Sequence, residues 1–101
     1  MIIIEKLSEM IAEELNDAEK YVTEALQTKD TDKRLADVFF DLSGQEMEHA
    51  KMLHGEVTRL IEDYKSKNGA PPDSMLAVYN YLHKRQIDHA ARIKAMQNMY
   101  R

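Results

Sequence analysis

Hydrophobic positions recur along most of this chain at gaps that alternate between three and four residues, the spacing of one face of an α-helix. Two polar segments interrupt the pattern, TKDTD at residues 28–32 and NGAPPDS at residues 68–74. The pattern predicts an all-α fold with three helices. Their expected bounds are about residues 3–27, 32–67 and 74–100. Because the breaks are short, we expect consecutive helices to pack side by side as an antiparallel helical bundle.

Each predicted helix has one stripe of positions expected to be buried, and polar residues fall near the middle of all three stripes. The stripes comprise Leu7, Ile11, Glu14, Ala18, Tyr21 and Ala25 in the first helix; Leu35, Phe39, Leu42, Glu46, His49, Leu53, Glu56 and Leu60 in the second; and Met75, Tyr79, Leu82, Gln86, His89, Ile93, Met96 and Tyr100 in the third. His54 and His83 lie off the stripes and are predicted to be surface residues. The second helix is the longest, so either a bend at Gly55 or a second copy of the chain must cover its excess length. We favour the second copy, in a homodimer or a higher homo-oligomer.

Composition narrows the possible function classes. With 101 residues, the chain has the size of a single domain, residues 1–101. Its net charge of −4 disfavours a nucleic-acid partner. The absence of cysteine excludes disulfides, thiolate-bound zinc and iron–sulfur clusters. No apolar run approaches the roughly 20 residues that span a bilayer. The opening MIII lacks the positively charged region of a signal peptide, and the acidic residue Glu5 follows it at once. We therefore expect a soluble, cytoplasmic protein with no membrane partner.

The polar residues within the stripes indicate a metal site. An unpaired carboxylate is costly to bury, and no Lys or Arg occupies the stripes. Glu46 and His49 are three residues apart, so they share a helical face and can ligate one ion, with Glu14 of the facing helix as a further ligand. Mixed carboxylate and imidazole ligands suit iron or manganese, with zinc a possible substitute. If two chains meet here, four glutamates and two histidines would surround two ions.

Two segments carry a resemblance to a known family. E-L-N-D-A-E-K-Y at residues 14–21, followed by F-F-D-L-S-G-Q-E-M-E-H-A-K at residues 39–51, resembles the first half of a ferritin-like, rubrerythrin-type diiron domain. In that family a first-helix Glu precedes a Tyr by seven residues, and an aromatic residue precedes the Glu of E-x-x-H-A by seven. The matching positions are Glu14, Tyr21, Phe39, Glu46 and His49. The resemblance covers about residues 7–60 and implies iron oxidation by oxygen or peroxide.

The chain departs from the family in its second half. The usual chain has four helices and a second E-x-x-H, whereas this chain has one further helix with Q-I-D-H at residues 86–89. A half-length chain can recover the full site by dimerising, as the short encapsulated ferritins do, and this sequence is similar in plan. His89 is then a further candidate ligand, although a buried, hydrogen-bonded histidine is the favoured interpretation. Tyr21 is expected either to hydrogen-bond a ligating carboxylate or to be a core aromatic residue.

The leading hypothesis is a ferritin-like iron-binding protein, a ferroxidase with Glu14, Glu46 and His49 as its catalytic ligands. Peroxidase turnover would need an external reductase, because the cysteines of a rubredoxin-type module are missing. One alternative is a non-catalytic helical dimer that acts as a structural or interaction module, as Gln86 and the missing fourth helix indicate. A second alternative is an oxidase of organic substrates, for which the sequence offers no distinctive pocket.

Overall fold

The computed structural model describes residues 2–101, and all regular secondary structure in this range is α-helical. The three helices are α1 (Ile2–Thr28), α2 (Lys33–Asn68) and α3 (Asp73–Tyr100). The prediction of an all-α chain with three helices is confirmed, and each helix end lies within one residue of its predicted position. Across residues 2–101, no helix combines the length and the apolar character that crossing a lipid bilayer requires.

Local sequence signals set the two turns. The Asp32 carboxylate accepts a hydrogen bond of 3.1 Å from the Leu35 backbone N–H, which caps the start of α2. Gly69 follows the end of α2 with a φ of 77°, a conformation that costs glycine little, and its N–H donates to the Lys65 carbonyl. Pro71 and Pro72 then prevent the helix from continuing.

Contacts between the helices give their relative directions. Ser43 of α2 contacts Ala18, while the later residue His49 contacts the earlier residue Glu14, so α1 and α2 run in opposite directions. α3 runs back alongside α1 and packs mainly against it, whereas it meets α2 chiefly through side chains. α1 therefore holds the three helices together, in a molecule measuring 55 × 18 × 18 Å.

Small side chains form the contact between α1 and α2. The buried residues are Ser8, Ile11, Leu15, Ala18, Val22 and Ala25 in α1, and Ala36, Ser43, Ala50 and Val57 in α2. The Ser43 hydroxyl donates a 2.7 Å hydrogen bond to the Ala18 carbonyl and accepts one of 3.0 Å from the Gln97 amide. This bond to a backbone carbonyl shows that the two helices approach closely at Ala18.

The predicted stripe of α2 is wrong by one residue. Ala36, Ser43 and Ala50 are buried, whereas Leu35 and His49 are exposed and Leu42 is half-buried. The prediction followed the larger apolar residues, but a close contact between two helices excludes large side chains, which then lie at its edges. In α1 the stripe is partly correct, since Glu14 and Tyr21 are half-buried beside a core that also includes Leu15 and Val22.

The length of α2 does not by itself require a second chain. Ile61 near its end packs against the same core as Ile4 near the start of α1, so α1 covers α2 nearly to that point. The turns of α2 beyond Ile61 carry exposed charged residues, Glu62, Asp63, Lys65 and Lys67, which need no cover. Exposed large apolar side chains occur on all three helices, among them Met10 of α1, Leu35 of α2 and Tyr81 of α3.

Tyr100 fixes the end of α3 to the turn between α1 and α2. Its ring stacks on Phe40 with 4.7 Å between ring centroids, and its hydroxyl donates to the Asp37 carboxylate. Its carbonyl accepts a 2.6 Å hydrogen bond from the Lys29 ammonium. Tyr100 and Ile93 are the fully buried members of the predicted α3 stripe, and its other members are half-buried.

We expect Ser43→Ala to lower the free energy of unfolding by about 1–3 kcal/mol. The substitution removes the donor to the Ala18 carbonyl at a buried position and leaves the half-buried Gln97 amide without its acceptor. Urea denaturation of both proteins, followed by circular dichroism at 222 nm, measures the difference. Ser66→Ala is the matched control, because Ser66 is an exposed serine of the same helix and its loss should change stability by less than about 0.5 kcal/mol. Equal effects would contradict the role given to Ser43.

Candidate metal centre

Glu14, Glu46 and His49 lie together at the edge of the α1–α2 contact. Glu19, which contacts α3, lies five residues beyond Glu14, or about 140° around the helix. The three side chains are therefore on the side of the α1–α2 pair that α3 leaves bare. The close helix contact at Ala18 and Ser43 brings Glu14 towards α2, and the three-residue spacing places His49 beside Glu46 on its own helix.

The three side chains converge on one small volume. One ligand atom from each lies within 4.8 Å of the others. His49 Nδ1 is 3.2 Å from Glu14 Oε2 and 3.7 Å from Glu46 Oε2. The side chains of Glu46 and Glu14 are 18% and 27% exposed, and that of His49 is 54% exposed. The prediction that His49 lies inside the helical packing is wrong for the single chain, since this imidazole lies on its surface.

The two carboxylates are poorly balanced by other protein groups. A hydrogen bond with Glu14 raises the pKa of Glu46 above its ordinary value of 4.5, and partial burial and the charge of Glu14 add to the rise. His49, which lowers this pKa, is the salt-bridge partner of both carboxylates within residues 2–101. The cluster therefore favours binding of a positive charge, either a proton or a cation.

The donor set fits a divalent metal ion. Ligand atoms about 2.0–2.2 Å from a common ion lie about 3–4 Å from one another, close to the separations found here. Two carboxylates supply two negative charges and a neutral imidazole supplies a nitrogen, which together match one divalent cation. Oxygen and imidazole ligands suit iron, manganese or zinc. Three ligands leave further coordination positions for water, a substrate or groups from another molecule.

The remaining predicted site residues lie apart from this cluster. His89 Nε2 is 3.2 Å from Glu19 Oε1, so it contacts the other side of α1. The side-chain amide of Gln86 donates to the Ser8 carbonyl at 3.1 Å. The Q-I-D-H segment of α3 at residues 86–89 thus contributes to the packing against α1. Tyr21 stacks on Phe39 with 6.3 Å between ring centroids, and its proposed hydrogen bond to a ligating carboxylate remains a prediction.

One contact between two histidines was not predicted from the sequence. His54 of α2 and His83 of α3, both predicted to be surface residues, are half-buried and stack with 4.7 Å between ring centroids. Their closest nitrogens are 3.1 Å apart. Nothing in the spacing within either helix indicates this pair, because it depends on how far α3 is shifted along α2.

Comparison of the chain with protein-family models, with curated proteins and with solved structures finds no match.

We expect Glu46→Gln to stabilise the metal-free protein at neutral pH. Since the pKa of Glu46 is raised on folding, the folded chain binds more protons than the unfolded chain above about pH 4.5, and stability falls as the pH rises through the raised value. Glutamine removes this loss and can still hydrogen-bond Glu14. Melting temperatures with a chelator at pH 5 and pH 7.5 should show a smaller decline for the variant than for the parent protein.

Glu48→Gln is the matched control for this measurement, because Glu48 is an exposed carboxylate two residues away on α2. It should keep the decline of the parent protein between the two pH values. A Glu46→Gln variant with an unchanged decline would show that the carboxylates do not repel each other as the structure indicates.

Proposed function

We propose that this chain is a ferritin-like iron-binding protein that oxidises ferrous iron at a carboxylate–histidine site completed by a second copy of the chain. The observation that carries the proposal is the convergence of Glu14, Glu46 and His49 within 4.8 Å. The resemblance of the first two helices to a rubrerythrin-type diiron domain supports it, since these are the residues that the resemblance implies as ligands.

Ferrous iron is the substrate in this proposal, with dioxygen or peroxide as the electron acceptor. Glu14 and Glu46 bind the cation through their carboxylates and offset its charge, while His49 supplies a neutral nitrogen ligand. Two ferrous ions held close together give one electron each, which with two protons reduces dioxygen to hydrogen peroxide. The protein contributes position and open coordination places, and manganese or zinc can occupy the same ligands.

The surroundings of the cluster support a second copy of the chain as its missing half. His49 is exposed, and Leu35, Phe39 and Leu42 on the same side of α2 are exposed or only half-buried. The Q-I-D-H tetrad of α3 contacts the far side of α1, so the second set of ligands that the resemblance implies does not come from this chain. A twofold axis at the cluster would bring four glutamates and two histidines together and cover the apolar side chains.

We expect the protein to bind ferrous iron and to accelerate its oxidation, and Glu46→Ala to weaken binding by at least about tenfold. The substitution removes one of the two carboxylates that match the charge of the cation. Calorimetric titration with ferrous iron under anaerobic conditions measures the affinity, and an oxygen electrode measures uptake after aeration. The variant should consume oxygen no faster than ferrous iron in buffer.

Glu48→Ala is the control in both assays and should behave as the parent protein, because Glu48 lies outside the cluster. If the parent protein neither binds iron nor consumes oxygen, the metal hypothesis is wrong, and the chain is better described as a structural or interaction module. If the parent protein binds iron without consuming oxygen, the proposed iron site is correct and the proposed ferroxidase activity is wrong.

We expect the protein to be a dimer at micromolar concentration and Leu42→Lys to shift it towards the monomer. Leu42 is half-buried and belongs to the apolar residues beside the cluster, so a lysine there would place a charge in the proposed interface. Light scattering coupled to gel filtration measures the mass. Met99→Lys is the control, since Met99 is 68% exposed and lies on α3 rather than among the apolar residues beside the cluster. A parent protein that is monomeric at all concentrations would refute the shared site.

A further inference from the structure

His54 of α2 and His83 of α3 form a side-chain contact of their own, apart from the contacts that Ser43, Asp37 and Phe40 make with α3. Their imidazole planes are inclined by 16° and their centroids are 4.7 Å apart, with His54 Nε2 3.1 Å from His83 Nδ1. The Tyr79 ring, one turn before His83, stacks on His83 from the same helix with 5.6 Å between centroids. The two nitrogens are hydrogen-bonded, with one ring N–H donating to the lone pair of the other ring, and a cation that binds both rings would take the place of that shared proton.

We propose that His54 and His83 form a second cation site, separate from the carboxylate cluster, that binds a late first-row divalent ion such as Zn²⁺ or Ni²⁺. The class of ion follows from the ligands. Two neutral imidazoles and no carboxylate suit zinc, nickel or copper, whereas the oxygen-rich cluster at Glu14 and Glu46 also suits iron and manganese.

The separation of the two nitrogens fits ligation of a single ion. Metal–nitrogen bonds of about 2.0–2.1 Å place two neighbouring ligands about 2.9–3.4 Å apart, depending on whether the geometry is octahedral or tetrahedral. The observed separation is 3.1 Å. A rotation of each ring about χ2, a torsion with a broad energy minimum, would direct both lone pairs at one ion without moving the helices.

The surroundings keep the pair available as ligands. Partial burial lowers the pKa of His54, and the neighbouring imidazole lowers it further, so His54 is neutral at pH 7. Both rings line a groove of about 570 Å³ between α2 and α3. Water in this open groove can fill the remaining coordination positions. The same groove is lined by two lysines, Lys51 and Lys94, by two acidic residues, Asp41 and Glu48, and by Gln86.

A bound ion would link α2 to α3. Because it binds the folded chain and not the separated helices, it would raise the stability of the whole fold as its concentration increases. The site is independent of the proposed iron oxidation, so either can fail while the other holds.

The experiment uses the full chain with Glu46→Gln and His49→Gln, which removes the imidazole and one carboxylate of the cluster. Calorimetric titration of this protein with Zn²⁺ should give one site per chain. Adding His54→Gln or His83→Gln should weaken zinc binding by at least about tenfold. Loss of a group that only orients a metal ligand costs about tenfold to a hundredfold in metal affinity, and loss of a ligand itself should cost no less. Adding His89→Gln, which removes a half-buried histidine paired with Glu19, should leave the zinc affinity unchanged.

A spectroscopic measurement keeps the proposal testable if a variant folds poorly. In the same background, with His54 and His83 intact, substoichiometric Ni²⁺ should broaden the imidazole ¹⁵N resonances of both residues and leave those of His89 sharp. Zinc binding that survives loss of both His54 and His83, or nickel broadening that spares them, would overturn the proposal. So would the absence of any zinc binding in the background protein.

Discussion

The close approach of α1 and α2 is the constraint on which the rest of this structure depends. Ala18 and Ser43 meet at the centre of the contact, and the bond from the Ser43 hydroxyl to a backbone carbonyl is possible only at short range. Small side chains at this level leave no room for the larger residues, which lie along the edges. The same spacing brings a carboxylate of α1 within reach of a carboxylate and an imidazole of α2.

This packing has an electrostatic consequence. Helices held together by buried contacts keep Glu14 and Glu46 side by side, and the pKa of Glu46 is raised by its hydrogen bond with Glu14, by partial burial and by the charge of Glu14. The folded chain thus keeps an unfavourable pair of charges at a fixed position. Arrangements of this kind, in which two carboxylates meet and one exposed imidazole is their salt-bridge partner, are typical of sites that bind a ligand.

The features that could be predicted from the sequence are those encoded locally. The helix ends follow from the periodicity and from turn residues such as Asp32 and Gly69, and the pairing of Glu46 with His49 follows from helix geometry. The buried face of α2 was wrong, because hydrophobic size favours Leu35 and Leu42 whereas the interface selects Ala36 and Ser43. Contacts that depend on the shift of one helix along another leave no periodic signal in either segment, and the histidine pair between α2 and α3 is of this kind.

The attachment of Tyr100 has a consequence for the order in which the chain assembles. The groups that hold this residue, Lys29, Asp37 and Phe40, all come from the two sides of the first turn. They are close together only after α1 and α2 have formed their hairpin, a contact between segments near in sequence and therefore fast to form. We therefore expect α3 to dock after the hairpin of α1 and α2 has formed, onto a surface that these two helices provide.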